Sequence, residues 1–322
     1  MSAADGKNQP LVSIGMPVYN GEQYIGEAIE SLLAQTHSNL ELIVSDNAST
    51  DSTLDICRNF ARRDARVTVL ESDHNRGQIR NFRKAFVATT GKYFAWAGDH
   101  DLWHPEWAES HVNLMENHPE VVLAYPQAVS ISSGGDEIRN NFVNFDTFGM
   151  NKRERIDAAC RRMIGAGNRV YGMYRSDALR KTPVFPYFCG PDRILLMELS
   201  VHGTFKQIDR KLWYRRYRED ETAVASGIPD EYESLIQRYR RYLFDGECAT
   251  PWHASFPVLS QVLALILHLS VKPTAGNFRN ILWGPYMARI YFKRRKHFIS
   301  KEVKLAINRL VLNRSKDKGD VA

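Results

Sequence analysis

Two carboxylates one residue apart, Asp99 and Asp101, follow the aromatic-rich run Lys92-Tyr93-Phe94-Ala95-Trp96-Ala97. Acidic groups at the end of a buried strand are costly unless something positive compensates them. Hard divalent cations such as magnesium or manganese take oxygen ligands, commonly one or two carboxylates completed by substrate phosphates. The pair therefore points to a metal–diphosphate site, although D-x-D alone is common in surface and structural settings. His100, between the two acids, is expected to form a pocket wall rather than a metal ligand, since D-x-D needs only its flanking oxygens. A third acid, Asp192, stands after Gly190-Pro191 and before the apolar run Ile194 to Leu199, where it suits either a general base or a helix cap.

The elements that must hold these residues read as alternating strands and helices, the pattern of an α/β unit with a largely parallel sheet. Leu11 to Met16 is a strand ended by Pro17, and Asn20 is placed to cap a helix whose apolar stripe is Tyr24, Ile25, Ala28, Ile29, Leu32 and Leu33. Glu41 to Ser45 is a second strand, followed by the polar loop Asp46 to Asp51 and a helix through Leu54, Ile56, Cys57, Phe60 and Ala61. Val67 to Leu70 leads through Asn75-Arg76-Gly77 into a helix carrying Ile79, Phe82, Ala85 and Phe86, which Gly91 ends. Further on come a helix at Trp107 to Glu116, a strand at Val121 to Tyr125, a surface loop over 130–144 and a helix around Ile156 to Ile164. A strand at Arg169 to Tyr174 precedes the Asp192 segment. In open α/β sheets ligands bind outside the carboxyl ends of the strands, so the polar strand ends mark the site.

Four of those strand ends form an ordered set: Pro17-Val18-Tyr19-Asn20, then Asp46-Asn47-Ala48-Ser49 with Asp51, then Asn75-Arg76-Gly77 with Arg80-Asn81, then Asp99-His100-Asp101. Together they resemble family 2 glycosyltransferases. The resemblance implies an α/β chain of GT-A type, a Rossmann-like mixed sheet flanked by helices, here with a helical basic C-terminal extension. It implies a nucleotide-sugar-binding half over 1–110, an acceptor-side half of the same catalytic domain over 111–230, and the extension over 231–322. The implied activity is inverting transfer of a sugar from a nucleotide diphosphate donor to a glycan or lipid-linked acceptor, as in cell-surface polysaccharide synthesis.

Residue by residue, the resemblance places Pro17, Tyr19 and Asp46 around the nucleobase, with the Tyr19 ring able to stack on it and Asp46 able to accept its imino proton. Arg80 faces the donor diphosphate, Asp99 approaches the ribose, Asp101 binds Mn2+ or Mg2+, and Asp192 takes the acceptor proton as catalytic base. Many relatives carry a Glu-Asp pair where this chain has Pro191-Asp192, and a basic segment over the diphosphate where it has Tyr214-Arg215-Arg216. Asn47 and Asp51 are expected to organise their loop. Trp96, Trp103 and Trp107 are expected in the core, with stacking on an acceptor sugar the alternative for Trp103.

The chain has 322 residues, 43% apolar and 25% charged, which is ordinary globular composition and excludes disorder or a disulfide-stapled scaffold. Cys57, Cys160, Cys189 and Cys248 lie far apart and show no zinc spacing, as expected of reduced thiols. The polar N-terminal stretch is no secretory leader, so the expected location is cytoplasmic. From Lys272 to Ala322 there are 13 Lys+Arg against 3 Asp+Glu, a net +10, while the remainder carries 30 against 34, a net −4. The basicity belongs to the tail, which interleaves aromatic and basic residues over Arg289 to Lys296 and continues as a basic amphipathic helix from about Lys301 to Leu312.

Such a tail suits an anionic membrane surface, peripherally on the cytoplasmic face, or packing on the body or a second copy in a homo-oligomer. The apolar run Phe256 to Val271 has 16 residues, short of the roughly 20 needed to cross a bilayer. Two rivals remain in view. A metal-dependent sugar nucleotidyltransferase would also hold a metal–nucleotide complex and would release pyrophosphate. A nucleic-acid-binding protein would use the basic tail, but it leaves the strand-end motifs unexplained, and no nucleic acid partner is expected. A dehydrogenase lacks its G-x-G-x-x-G after the first strand.

Overall fold

Short runs rich in Val, Ile and aromatic residues, each followed by a polar loop and a segment with 3.6-residue periodicity, fold as alternating strands and helices. The computed structural model describes residues 9–138, 144–163, 166–188, 190–217, 256–271 and 282–316. The first half runs β1 (Val12–Val18), α1 (Ile25–Leu33), β2 (Leu40–Asp46), α2 (Thr53–Arg63), β3 (Val67–Leu70), α3 (Gln78–Val87) and β4 (Tyr93–Trp96). There follow β5 (Leu102–Trp103), α4 (Trp107–Asn117), β6 (Val121–Ile131), α5 (Lys152–Arg162), α6 (Ala166–Arg169), β7 (Met173–Arg175) and α7 (Ser176–Leu179). The rest comprises α8 (Pro191–Leu199), β8 (Thr204–Arg216), α9 (Pro257–Val271) and α10 (Trp283–Lys316).

The strands form one mixed sheet of eight, in the order β3-β2-β1-β4-β7-β6-β8-β5. Strands β1 to β4 are mutually parallel, β7 runs antiparallel to β4 and β6, and β5 antiparallel to β8. Helices cover both faces, as a parallel sheet requires. Ile25, Ala28, Ile29 and Leu32 of α1 join Cys57 of α2 and Trp107 of α4 on one face, while Ile79, Phe82 and Phe86 of α3 join Leu195, Leu196 and Leu199 of α8 on the other. A third apolar cluster joins Ile156 of α5 and Ile194 and Met197 of α8 to Val262 and Leu265 of α9 and Met287, Ile290 and Tyr291 of α10. None of the described helices is long and apolar enough to cross a membrane.

Several local expectations change. Pro17 does not end β1: the strand continues to Val18, which pairs with Asp46. Pairing with β4 stops at Gly15, whose carbonyl accepts from the Ala97 N–H at 2.9 Å, so the missing Pro17 donor falls where β4 no longer needs one. Asn20 does not cap α1; it sits at φ 52° and its Oδ1 accepts from the Thr50 N–H at 2.9 Å, tying two strand-end loops together. Gly91 does not end α3, which stops at Val87; it lies before β4 with its N–H donating to Ser13 Oγ at 2.8 Å, and a β-carbon there would meet the Leu11 carbonyl at 2.7 Å.

The expected strand at Arg169 to Tyr174 is the helical turn α6 followed by the shorter β7, β6 extends past Tyr125 to Ile131, and the basic helix starts at Trp283 rather than near Lys301. Cys57 and Cys160 are free and buried; Cys189 and Cys248 lie outside the described residues, as does much of the second half's far end and the start of the extension. Trp96, Trp103 and Trp107 are all core residues. Trp96 is fully buried, edge-on to Phe94, Tyr174 and Phe185, with its indole N–H donating to the Phe82 carbonyl at 3.1 Å. Trp96→Ala leaves a cavity at this junction and is expected to cost about 3–5 kcal/mol of stability, read as a lower urea midpoint with an unchanged slope.

Candidate active site

The carboxyl ends of β1, β2 and β4 deliver the predicted residues to one rim. Tyr19 is 45% exposed just past β1, its ring open to solvent. Asp46, the last residue of β2, is 1% exposed. Its Oδ2 accepts from the Ser49 N–H at 3.1 Å, whereas its Oδ1 is buried without a hydrogen-bond partner among the described residues. An unpaired buried carboxylate oxygen is costly, and a ligand's donor can relieve that cost.

The loops around it are braced. Asn47 donates through Nδ2 to Asn75 Oδ1 at 2.7 Å and accepts the Arg76 N–H at 2.9 Å. Asp51 accepts the Glu22 N–H at 3.2 Å and the Thr53 N–H at 3.0 Å, and the Gly21 N–H donates to Thr53 Oγ1 at 2.8 Å. Both therefore organise the loop.

Beyond β4 the acidic triplet turns inward. Asp101 is 2% exposed, and burial pushes its carboxyl above the usual range, with the His100 and Arg215 cations pulling the other way. Two donors hold it: the Trp213 indole N–H reaches Oδ2 at 3.1 Å and the Arg216 backbone N–H reaches Oδ1 at 3.0 Å. Asp99 Oδ1 meets His100 Nδ1 at 2.8 Å, and His100 Nε2 lies 3.7 Å from Asp101 Oδ1. His100 is thus wedged between the two acids rather than serving only as a pocket wall. Each ionised carboxylate offers about four lone-pair directions. The two donors on Asp101 use half of them, which leaves lone pairs of the kind a hard divalent cation takes. A β-carbon at Gly98 would stand 2.8 Å from Asp101 Oδ2, so glycine there leaves the carboxylate its room.

The segment Tyr214-Arg215-Arg216 proves to be the end of β8, and its two arginines differ. Arg216 is 3% exposed and fully engaged, with Nε on the His100 carbonyl at 3.0 Å, Nη1 on the Ser133 carbonyl at 2.7 Å and Nη2 on Glu27 at 2.7 Å. It locks the acidic loop to α1. Arg215 donates to Asn168 and lines a cavity of about 280 Å³ with Gln78, Ile79, Phe82, Tyr171 and Asp192.

Asp192 is the second residue of α8, after Gly190 as N-cap and Pro191. Gly190 rather than Asp192 is therefore the cap, and Asp192 stands inside the first turn, where its carboxylate meets the backbone N–H groups of Arg193 and of its own residue. Burial pushes its carboxyl above the usual range, against the pull of the Arg193 N–H and guanidinium. Arg80 lies elsewhere. It faces a groove of about 340 Å³ on the other flank of α3 with Asn47, Ser72, Arg76, Arg83 and Lys84, and its guanidinium lies 6.0 Å from the Tyr187 ring centre.

The structure therefore brings Asp99, Asp101 and Arg215 together and opens the Asp192 cavity beside Arg215, with Asp46 and Tyr19 on the same rim and Arg80 across α3. Trp213, Arg216 and Glu27 were not expected as supports. The signal available was a Trp and two Arg crowded at the end of one strand, which the order of strands in the sheet alone converts into a contact with Asp101.

The sequence pattern of glycosyl transferase family 2 matches residues 13–182, just over half of the chain. The chain belongs to that family. Among curated relatives, the putative teichuronic acid biosynthesis glycosyltransferase TuaG of Bacillus subtilis is 34% identical over 107 residues, 33% of this chain and 42% of that one. Eight such relatives are matched over 15% to 52% of their own length, so this chain spans about half of them or less. S. aureus TarS 1-349 in complex with UDP-GlcNAc superposes with a TM-score of 0.52 at 16% identity, over 85% of this chain and 79% of that one. Mannosyltransferase PcManGT from Pyrobaculum calidifontis in complex with GDP-Man and Mn2+ gives a TM-score of 0.50 at 15% identity, over 96% and 81%. The family 2 sheet is of GT-A type, and this glycosyltransferase shares it.

Removing one of the two donors to the buried Asp101 carboxylate tests the support. Trp213→Phe keeps an aromatic ring but strands Oδ2 and leaves a small gap where the indole was, and is expected to lower stability by about 1–3 kcal/mol in urea denaturation.

Proposed function

We propose that this glycosyltransferase moves a sugar, with inversion, from a nucleotide diphosphate donor to a hydroxyl of a glycan or lipid-linked acceptor in polysaccharide synthesis. The observation that carries the reading is Asp46 Oδ1, buried and lacking a donor at the end of β2, on a rim that also holds the Asp99–Asp101 pair and the Asp192 cavity. A nucleobase imino N–H is the donor that completes it. The resemblance of the fold to proteins crystallised with UDP-GlcNAc and with GDP-Man and Mn2+, and a relative named for teichuronic acid biosynthesis, support the same assignment.

In this reading the Tyr19 ring stacks on the base beside Pro17, Asp46 accepts its N–H, and Asp99 meets the ribose. Arg215 meets the diphosphate where its charge already acts on Asp101. Arg80 serves the donor from the other flank of α3. A Mn2+ or Mg2+ ion held by Asp101, with Asp99 beside it, supplies counter-charge to the departing group when bound. The acceptor oxygen attacks the anomeric carbon as the bond to the diphosphate oxygen breaks, the electron pair leaves with the nucleoside diphosphate, and the acceptor proton passes to Asp192. Burial suits Asp192 to this, because a raised carboxyl is a better base once ionised. The basic C-terminal segment, with Arg289, Lys293, Arg294 and Lys296 exposed on α10, rests on an anionic membrane surface at the cytoplasmic face.

A panel of nucleotide sugars, offered with manganese or magnesium, tests the activity through release of nucleoside diphosphate; release of pyrophosphate instead would place the chain among nucleotidyltransferases. Asp192→Asn is expected to lower turnover by roughly 10²–10⁴-fold while nucleoside diphosphate affinity stays within twofold. The acid limb of the wild-type pH–rate profile should lie above the ordinary carboxylate value of 3.8, since Asp192 must lose its proton to act and burial resists that loss. Asp46→Ala should weaken nucleoside diphosphate binding roughly ten- to a hundredfold in calorimetry and leave the pH limb in place.

A further inference from the structure

The turn that launches Asp192 leans on residues far from every motif. Gly190 is left-handed at φ 64°, a conformation that costs glycine little and holds it only loosely. A β-carbon at Gly190 would overlap the side-chain amide nitrogen of Gln261, so α9 lies directly against the backbone of this turn. Gln261 is 5% exposed, and its Oε1 accepts a hydrogen bond from the hydroxyl of Tyr291 on α10, which is 2% exposed. That bond fixes which end of the amide is which: the oxygen faces Tyr291, and the nitrogen faces Gly190.

The helix pair behind this contact is itself anchored. The Glu302 carboxylate, from the middle of α10, accepts the N–H groups of Val258 at 2.7 Å and Leu259 at 3.0 Å and so caps the start of α9. The Tyr286 hydroxyl donates to Asp157 at 3.1 Å, and Arg294 donates to the Cys160 carbonyl at 3.0 Å, joining α10 to α5.

We propose that Gln261, oriented by Tyr291, is a positioning residue for Asp192, so that the C-terminal helix pair aims the acceptor-side carboxylate. The inference rests on the reading of Asp192 as base given above. A base acts only within hydrogen-bond reach of its proton, and a displacement near 1 Å costs about a hundredfold in rate. A left-handed glycine turn is soft, and the buried amide packed on its outer side limits where the first turn of α8 can settle. Transfer thus depends on a segment that touches no substrate.

The test uses the full chain and hydrolysis of UDP-GlcNAc or GDP-Man with manganese, whichever the panel shows to turn over. Gln261→Ala and Tyr291→Phe are expected to lower kcat roughly tenfold. Donor KM and nucleoside diphosphate affinity should stay within twofold, and the acid limb of the profile should move. In an Asp192→Asn background neither change should lower the residual rate further. Tyr291→Phe removes a single oxygen and decides the matter should Gln261→Ala fail to fold. Full activity of Asp192→Asn would sink the base reading itself. An inactive Asp192→Asn beside wild-type kcat and pH limb in both variants would overturn the positioning role alone, as would an equal drop in the two backgrounds.

Discussion

The Asp101 carboxylate is the point on which the site depends. It is an ionisable group taken out of water, and among the described residues only the Trp213 indole and the Arg216 amide, both from β8, meet it with direct hydrogen bonds. Those partners lie more than a hundred residues further along the chain, so the acidic triplet exists as a shaped site only when β8 has docked beside β6 and β5. Arg216 closes the same junction from its other side through Glu27 of α1. Exposed ion pairs contribute little, but here the guanidinium is buried and also satisfies two carbonyls, which makes it a latch between three elements.

Helix α3 divides the region into two environments. Its inward side, with Ile79 and Phe82, borders the cavity that holds Asp192 and Arg215. Its outward side, with Arg80, Arg83 and Lys84, borders the basic groove. One amphipathic helix thus separates a mostly apolar chamber, where a carboxylate gains basicity, from a cationic flank. The segregation follows the helix's amphipathic pattern, with Ile79, Phe82 and Phe86 on its buried arc and Arg80, Arg83 and Val87 on its exposed arc.

What the sequence made legible was local. The apolar stripes of α1 and α3 and the runs of β2 and β3 announce themselves by period and by flanking polar loops, and the strand-end motifs fall where an α/β sheet presents its ligand site. What escaped was long-range or sterically conditional. Pro17 reads as a strand terminator until one sees that its missing N–H faces the side where β4 has ended. Asn20 reads as a cap because capping is local, whereas its partner Thr50 lies on another loop. Trp213 and Arg216 meet Asp101 across more than a hundred residues, and β5 has only two residues, too few to show a period. Gln261 sits in an apolar run where its amide looks like an interruption; its contacts with Tyr291 and Gly190 give it a purpose.

The cross-tie between Asn20 and the Ser49-Thr50 corner has a kinetic meaning. Asn20 gives its N–H to Ser49 Oγ at 3.0 Å and receives the Thr50 N–H, so the segments bearing Tyr19 and Asp46 form one stiff unit. In the proposed reading, a base arriving between them has no wandering loop to tame before capture, because the entropy that a floppy cradle would forfeit is already surrendered during folding. Discrimination among bases then falls to the outline of a rigid slot.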